Sequence, residues 1–142
     1  MARKKRYPKS PFRSLFEQDI AEALDDLGVD YDYESIELEY TEPLRKNKAT
    51  CADCGSSNLE RTGWYTPDFV LGSGVIIETK GRFTAADRRK MKSVVEHHPD
   101  LKIVMCFMRD NKIHKNSNTY YSDWCMENDI DFSIKTIKKE WL

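Results

Sequence analysis

The sequence has no apolar run approaching the ~20 residues of a bilayer-spanning helix, which argues against a membrane-spanning protein. Its first residues are basic, but no apolar segment follows them, so a secretory leader is not expected and the cytosol is the expected location. Net charge is also missing: 23 Lys and Arg stand against 24 Asp and Glu, a formal −1, so composition alone does not advertise nucleic acid as a partner. In a cytosolic chain the four cysteines point away from disulfides and towards metal binding or free thiols. No internal repeat or low-complexity tract is visible.

What is present is a 142-residue chain with 39% apolar and 33% charged residues, the balance of one soluble globular domain. A chain of this length buries roughly two-thirds of the surface it exposes when unfolded. Its charge is unevenly spread. Residues 1–13 carry Arg3, Lys4, Lys5, Arg6, Lys9 and Arg13 and no acid, a local +6 that leaves −7 on the remainder. With Pro8 and Pro11 among them, these residues read as an extended basic arm on an acidic body. Such an arm is a common phosphate-binding device and has equally the look of a solubilising tail.

The chain is organised around Tyr65 to Lys80, where two apolar, β-branched runs flank Gly72-Ser73-Gly74. That pattern predicts a hairpin, with glycine where the turn needs positive φ. If the turn is centred on Ser73, opposed residues have numbers summing to 146, so Asp68 faces Glu78 and Thr66 faces Lys80. Residues two apart on a strand share a face, which sends Asp68, Glu78 and Lys80 the same way. Opposed residues hold their Cβ atoms roughly 5 Å apart, and two carboxylates at that distance repel unless a cation lies between them. A hard divalent ion such as magnesium takes oxygen ligands of this kind. The run Val75-Ile76-Ile77 predicts a strand buried on both faces, where charges need partners. An ordinary hairpin with solvated charges is the plainer alternative.

Around the hairpin the pattern predicts an alternating α/β chain. Ser14-Leu15-Phe16-Glu17 opens a helix with a capping-box pattern, Phe16, Ile20, Ala23, Leu24 and Leu27 give it one apolar face, and Gly28 is placed to end it. Glu17 can therefore be a helix cap and nothing more. Residues 30–40 alternate apolar and acidic, with a phase break near Ser35, and predict a half-buried strand or two short ones. Residues 41–64 read as a long polar connection, unusual inside a compact domain. It holds Cys51-Ala-Asp-Cys54-Gly, a knuckle able to offer two thiolates to zinc, which is half of a closed site. Beyond the hairpin, Thr84-Ala-Ala-Asp87 caps a helix whose first half is crowded with Arg88, Arg89, Lys90 and Lys92. Leu101–Phe107 reads as a core strand, 119–128 as a helix, 132–137 as a last short strand, and Trp141 as the residue that packs the C-terminus down.

Phosphodiester cleavage needs an attacking water, charge neutralisation at phosphorus and help for the leaving oxygen, and metal ions held by carboxylates supply all three. Pro67-Asp68, a nine-residue gap and Glu78-Thr79-Lys80 match the Pro-Asp…(Asp/Glu)-x-Lys nuclease pattern. More broadly, the chain resembles the phage endonuclease I family of Holliday-junction resolvases. The resemblance runs through Phe12-Arg13-Ser14 with Glu17, Tyr65-Thr66-Pro67-Asp68-Phe69, Glu78-Thr79-Lys80-Gly81, Asp87-Arg88-Arg89-Lys90, His98-Pro99-Asp100-Leu101 and Glu140-Trp141, in that order.

The resemblance implies an α/β (α+β) restriction-endonuclease-like core, a mixed central sheet flanked by helices. It implies that Asp68 and Glu78 bind magnesium (or manganese), with the Thr79 carbonyl contributing. Glu17 would share a second ion and Lys80 would serve the hydrolytic water. The implied substrate is branched DNA, above all four-way junctions cut by paired nicks, in the host cytoplasm if the chain is phage-encoded. It also implies a domain-swapped homodimer: after the arm at 1–13, the nuclease domain at 14–142 divides into a helix–strand half at 14–40, the 41–64 connection and a catalytic half at 65–142. Residues 14–40 of one chain would join 65–142 of the other. The cysteine knuckle departs from the family pattern, and Cys51 and Cys54 are carried as candidate ligands of a structural zinc. The candidate DNA contacts are Arg3, Lys4, Lys5, Arg6, Arg13, Arg82, Arg88, Arg89 and Lys90. The competing expectations are a general or mismatch- and nick-directed endonuclease of the same fold, and a non-catalytic zinc-knuckle protein that binds nucleic acid.

Overall fold

The computed structural model describes residues 11–43 and 59–142. The basic arm through Ser10 and the Cys51/Cys54 knuckle lie outside the described residues. In chain order come α1 (Leu15–Asp26), β1 (Tyr31–Tyr33), β2 (Leu38–Pro43), β3 (Glu60–Tyr65), β4 (Phe69–Leu71), β5 (Ile76–Lys80), α2 (Ala85–His97), β6 (Ile103–Phe107), α3 (Tyr121–Glu127), β7 (Phe132–Ile134) and a closing 3-10 turn, Lys139–Trp141. Five strands form one mixed sheet in the order β1-β4-β5-β6-β7, and β2 and β3 form a separate two-stranded ribbon. The first three strands of the sheet are antiparallel and the last three parallel. The two parallel connections are the helical crossovers β5-α2-β6 and β6-α3-β7.

The central hairpin has the register that its sequence predicts. Phe69 pairs with Ile77 and Val70 with Ile76, so no slip separates Asp68 from Glu78. The turn is a three-residue loop: Leu71 N donates to Val75 O at 2.9 Å, Gly74 N donates to Leu71 O at 2.8 Å, and Gly74 takes a φ of 90°. A left-handed residue at the end of such a loop is what lets the strands rejoin without splaying.

The sheet separates two apolar layers by strict alternation. On β5 and β6, Ile76, Ile103, Met105 and Phe107 pack with Met91, Val94, Tyr121 and Cys125 of α2 and α3. The intervening Ile77, Val104 and Cys106 pack with Phe16, Ile20, Ala21 and Leu24 of α1, and with Trp141. β6 is buried along its whole length, as a strand covered on both faces must be. The capping of α2 by Thr84 and Asp87 is reciprocal, each side chain holding the other's backbone N–H.

Four sequence expectations shift. The phase break near Ser35 is a change of sheet: Glu34 sits at a φ of 49° between β1 and β2. The ends of the 41–64 connection are strands, Leu38–Pro43 running antiparallel to Glu60–Tyr65, and Gly63 lets the Tyr40 ring lie where a Cβ would come within 2.6 Å. The last strand stops at Ile134 because Lys135 turns to a φ of 60°. The third helix begins at Tyr121 rather than at 119.

Trp141 is fully buried, donates its indole N–H to Asp131 at 2.7 Å, and offers its carbonyl to Ser73 Oγ at 2.6 Å. The chain end thereby clamps the turn of the hairpin. Trp141→Ala should cost about 3–5 kcal/mol of unfolding free energy in urea titrations, as large-to-small core changes do. Trp141→Phe should cost clearly less, and equal losses in the two variants would show that bulk is not what counts here.

Candidate active site

Asp68 directly precedes β4 and, by the register, faces Glu78 of β5. Its Oδ2 accepts from Thr79 N at 2.8 Å and from Thr79 Oγ1 at 2.7 Å. Glu78 Oε2 accepts from the buried Tyr65 hydroxyl, and Oε1 lies 3.4 Å from Lys80 Nζ. Lys80 Nζ is also 3.7 Å from Asp87 Oδ1. Asp68 and Glu78 are nearly sealed from solvent, at 7% and 5% exposure.

Glu17 reaches this cluster from α1 of the same chain. It does not complete the capping box: Ser14 Oγ holds Glu17 N at 3.1 Å, while Glu17 Oε2 takes Arg13 N at 2.8 Å and the Tyr33 hydroxyl at 2.7 Å. The carboxylate is buried, and its charge is felt at Asp68. Residues 14–33 thus pack on the catalytic half in cis, and exchange between chains is not required to bring Glu17 to the acids.

The electrostatics follow from burial. Glu78 is pushed up to about 7, first by desolvation and then by Asp68. Asp68 is raised too, mainly by desolvation, and the two Thr79 hydrogen bonds pull the other way. Burial opposes the charge on Lys80, but Glu78, Asp87 and Asp68 together hold its ammonium above the ordinary lysine range. Burial and Glu78 raise Tyr65 well above the usual phenol, so its hydroxyl stays a donor. Three buried carboxylates against one ammonium leave a surplus of negative charge, which suits a divalent cation. Thr79 holds one oxygen of Asp68, while both oxygens of Glu78 are engaged, Oε2 by Tyr65 and Oε1 by Lys80. Among the described residues no three His, Cys, Asp or Glu side chains are grouped so as to hold a metal ion, and the acids that face each other here are the pair Asp68 and Glu78.

Of the basic candidates, Arg82 and Arg89 are exposed. Arg13 is exposed but pairs with Glu34 at 2.7 Å. Arg88 and Lys90 are half-buried: Arg88 Nη1 donates to Phe83 O at 2.7 Å and to Ile113 O at 3.4 Å, and Lys90 Nζ sits 5.2 Å from the centre of the Tyr65 ring. The pair reads as internal bracing at least as much as a solvated cationic face. Tyr33, Tyr65, the Thr79 side chain and the second role of Asp87 escape a motif reading. Their only sequence signal is strand alternation and nearness to Asp68 and Glu78.

An opposed Asp/Glu pair with a lysine two residues on, at the hairpin of a mixed sheet, matches the Pro-Asp…(Asp/Glu)-x-Lys nuclease pattern. A family profile described as phage endonuclease I matches residues 1–142. The chain is 32% identical over 132 residues to endonuclease I of Escherichia phage T7, covering 92% of this chain and 78% of that protein. It is 35% identical over 127 residues to endodeoxyribonuclease 1 of Enterobacteria phage T3, covering 89% and 73%. The chain belongs to the phage endonuclease I family and is a DNA endonuclease.

The raised carboxylates predict a pH dependence of folding. Glu78 titrates near 4.5 when unfolded and about 7 when folded, so the native state holds the extra proton between those values. Stability from this group is complete below the lower value and lost as pH rises through the upper. In chelating buffer the protein should lose stability between pH 5 and pH 8. Glu78→Gln should remove about 1–3 kcal/mol of that loss, the scale that the shift sets. Urea midpoints across that range would test this, and a variant profile parallel to the wild type would refute it.

Proposed function

We propose that the protein resolves four-way junctions and related branched DNA by paired nicks in opposing strands, as a magnesium- or manganese-dependent homodimer acting in the host cytoplasm. The observation that carries this reading is the in-register opposition of buried Asp68 and Glu78, with Lys80 against Glu78. It stands in a chain matched over its whole length by one endonuclease family.

Asp68 and Glu78 would hold the metal with the Thr79 carbonyl, and Glu17 would share a second ion. When bound, the metal supplies a water activated for attack and neutralises charge on the phosphate. The chain's own residues do the rest. Thr79 fixes Asp68 through two hydrogen bonds, Tyr65 fixes Glu78, and Tyr33 with Arg13 N fixes Glu17, so each acid meets the ligand already oriented. Lys80 stays protonated and places an ammonium where the water or a phosphate oxygen is ordered. Asp87 and Glu78 hold that ammonium from two sides.

Paired nicks call for two sites in one particle. Exchanging residues 14–40 between two chains would rebuild between protomers the packing that α1 makes here on Phe69, Leu71 and Ile77. Selectivity would come from shape. Two basic surfaces joined at a set angle match the phosphate tracks of a junction, with the arm at Arg3, Lys4, Lys5, Arg6 and Arg13, together with Arg82 and Arg89, as contacts. Phosphate contacts position the protein and carry no base information. Cys51 and Cys54 would hold a structural zinc in the connection between the two halves.

Labelled four-way junction and matched linear duplex, each incubated with and without magnesium, separate the readings. Symmetric nicks on the junction alone, only with the metal, are expected. Equal cutting of both substrates would replace junction resolution with general endonuclease activity. Asp68→Asn and Glu78→Gln should each abolish cutting, by at least about 100-fold given the acids' place at the reacting centre, while junction binding survives. Near-normal cleavage by both variants would remove the assigned chemistry. Zinc is checked separately: purified protein should carry stoichiometric zinc that Cys51→Ser loses, and unchanged zinc content would dismiss the knuckle.

A further inference from the structure

We infer that the loop tip at residues 109–115, between β6 and α3, is a phosphate-binding surface that grips DNA immediately beside the cut. This rests on the reading of the site as a DNA-cutting centre.

The tip leaves the sheet next to the catalytic lysine. β5 and β6 are parallel neighbours, Lys80 pairs with Phe107, and Met108 N donates to Lys80 O at 3.0 Å. Neighbouring strands lie about 4.8 Å apart, so the tip begins one strand spacing from Lys80. Arg109, Lys112, His114 and Lys115 are all exposed there. None of the four makes an ion pair among the described residues. The acid within the tip, Asp110, is held by Ser122 N at 3.0 Å and Ser122 Oγ at 2.5 Å rather than paired with them, and Arg109, Lys112 and Lys115 outnumber it.

The tip is also braced. Lys112 forms an antiparallel bridge with Tyr120, Ile113 N donates to Thr119 O at 2.9 Å, Ser117 N to His114 O at 3.1 Å, and Tyr121 N to Asn111 O at 2.9 Å. Arg88 ties it to the segment that follows Lys80, through Ile113 O and Phe83 O. Cations displayed on a braced hairpin lose little further backbone freedom when a polyanion arrives. The tip leaves β6 directly beside Lys80, so its cations are displayed next to the end of the strand that carries Glu78 and Lys80.

The test is junction binding against salt in chelating buffer, on an Asp68→Asn background so that the substrate stays whole. Lys112→Ala with Lys115→Ala should weaken binding about 10-fold or more at moderate salt and lower the salt slope by about 2. Lys115→Ala alone should lower the slope by about 1. The control is Lys102→Ala with Lys139→Ala, which removes the same charge at the opposite end of the strands. There Lys102 O receives Ile76 N and the Lys139–Trp141 turn reaches Ser73. The control slope should equal that of the background. A tip variant with an unchanged slope, or equal losses in tip and control variants, would overturn the inference. If the Asp68→Asn protein binds no junction at any salt, the underlying reading of the site falls instead.

Discussion

The structure depends on the burial of two acids against each other. Asp68 and Glu78 face one another at the end of a hairpin whose interior is wholly apolar. Carboxylates so placed cost several kcal/mol unless hydrogen bonds and counter-charge compensate. The surroundings are that compensation. Thr79 gives Asp68 two donors, Tyr65 gives Glu78 one, and Lys80 adds a charge that is itself held by Asp87. The compensation is incomplete: burial still holds both acids above the ordinary carboxylate range, and the charge of Asp68 adds to the effect at Glu78.

The scaffold serves that pair by fixing register. A slip of one residue in the hairpin would send one acid to the opposite face of the sheet. Three features oppose it: the left-handed Gly74, the parallel pairing of β5 with fully buried β6, and the clamp of the chain end on Ser73. α1 then covers the far face and delivers Glu17 to the edge where the acids open. The two crossovers set α2 and α3 over the other face, and the end of β5 that carries Glu78 and Lys80 lies beside the end of β6 from which the basic tip leaves the sheet.

Much of this was legible because the residues carry short-range rules. Gly72-Ser73-Gly74 between β-branched runs is a turn, and the Asp68–Glu78 opposition follows by counting. Ser14 and Thr84 announce helix starts, and the apolar run within Leu101–Phe107 announces a core strand. What was not legible depends on partners distant in sequence. Arg88 looks like one of a cationic run, yet its guanidinium is spent on two carbonyls, one of them 25 residues away at Ile113. Glu17 looks like a capping residue, yet Tyr33 draws it inward. The strands at the ends of the 41–64 connection escaped notice because polar Thr41, Glu42, Arg61 and Thr62 carry no apolar period. Their pairing is supported from beside them, by α2, where His97 meets Thr41 and His98 meets the Glu39 carbonyl.

Lys90 over the Tyr65 ring gives α2 a hold on the chemistry without touching it. A cation at an aromatic face draws density from the ring and sharpens the phenol as a donor, and that phenol ends on Glu78. The outer surface of the helix and the buried acid are therefore joined by a single polarisable relay. Changes at position 90 will register at the carboxylate through that phenol, even though lysine and acid never meet.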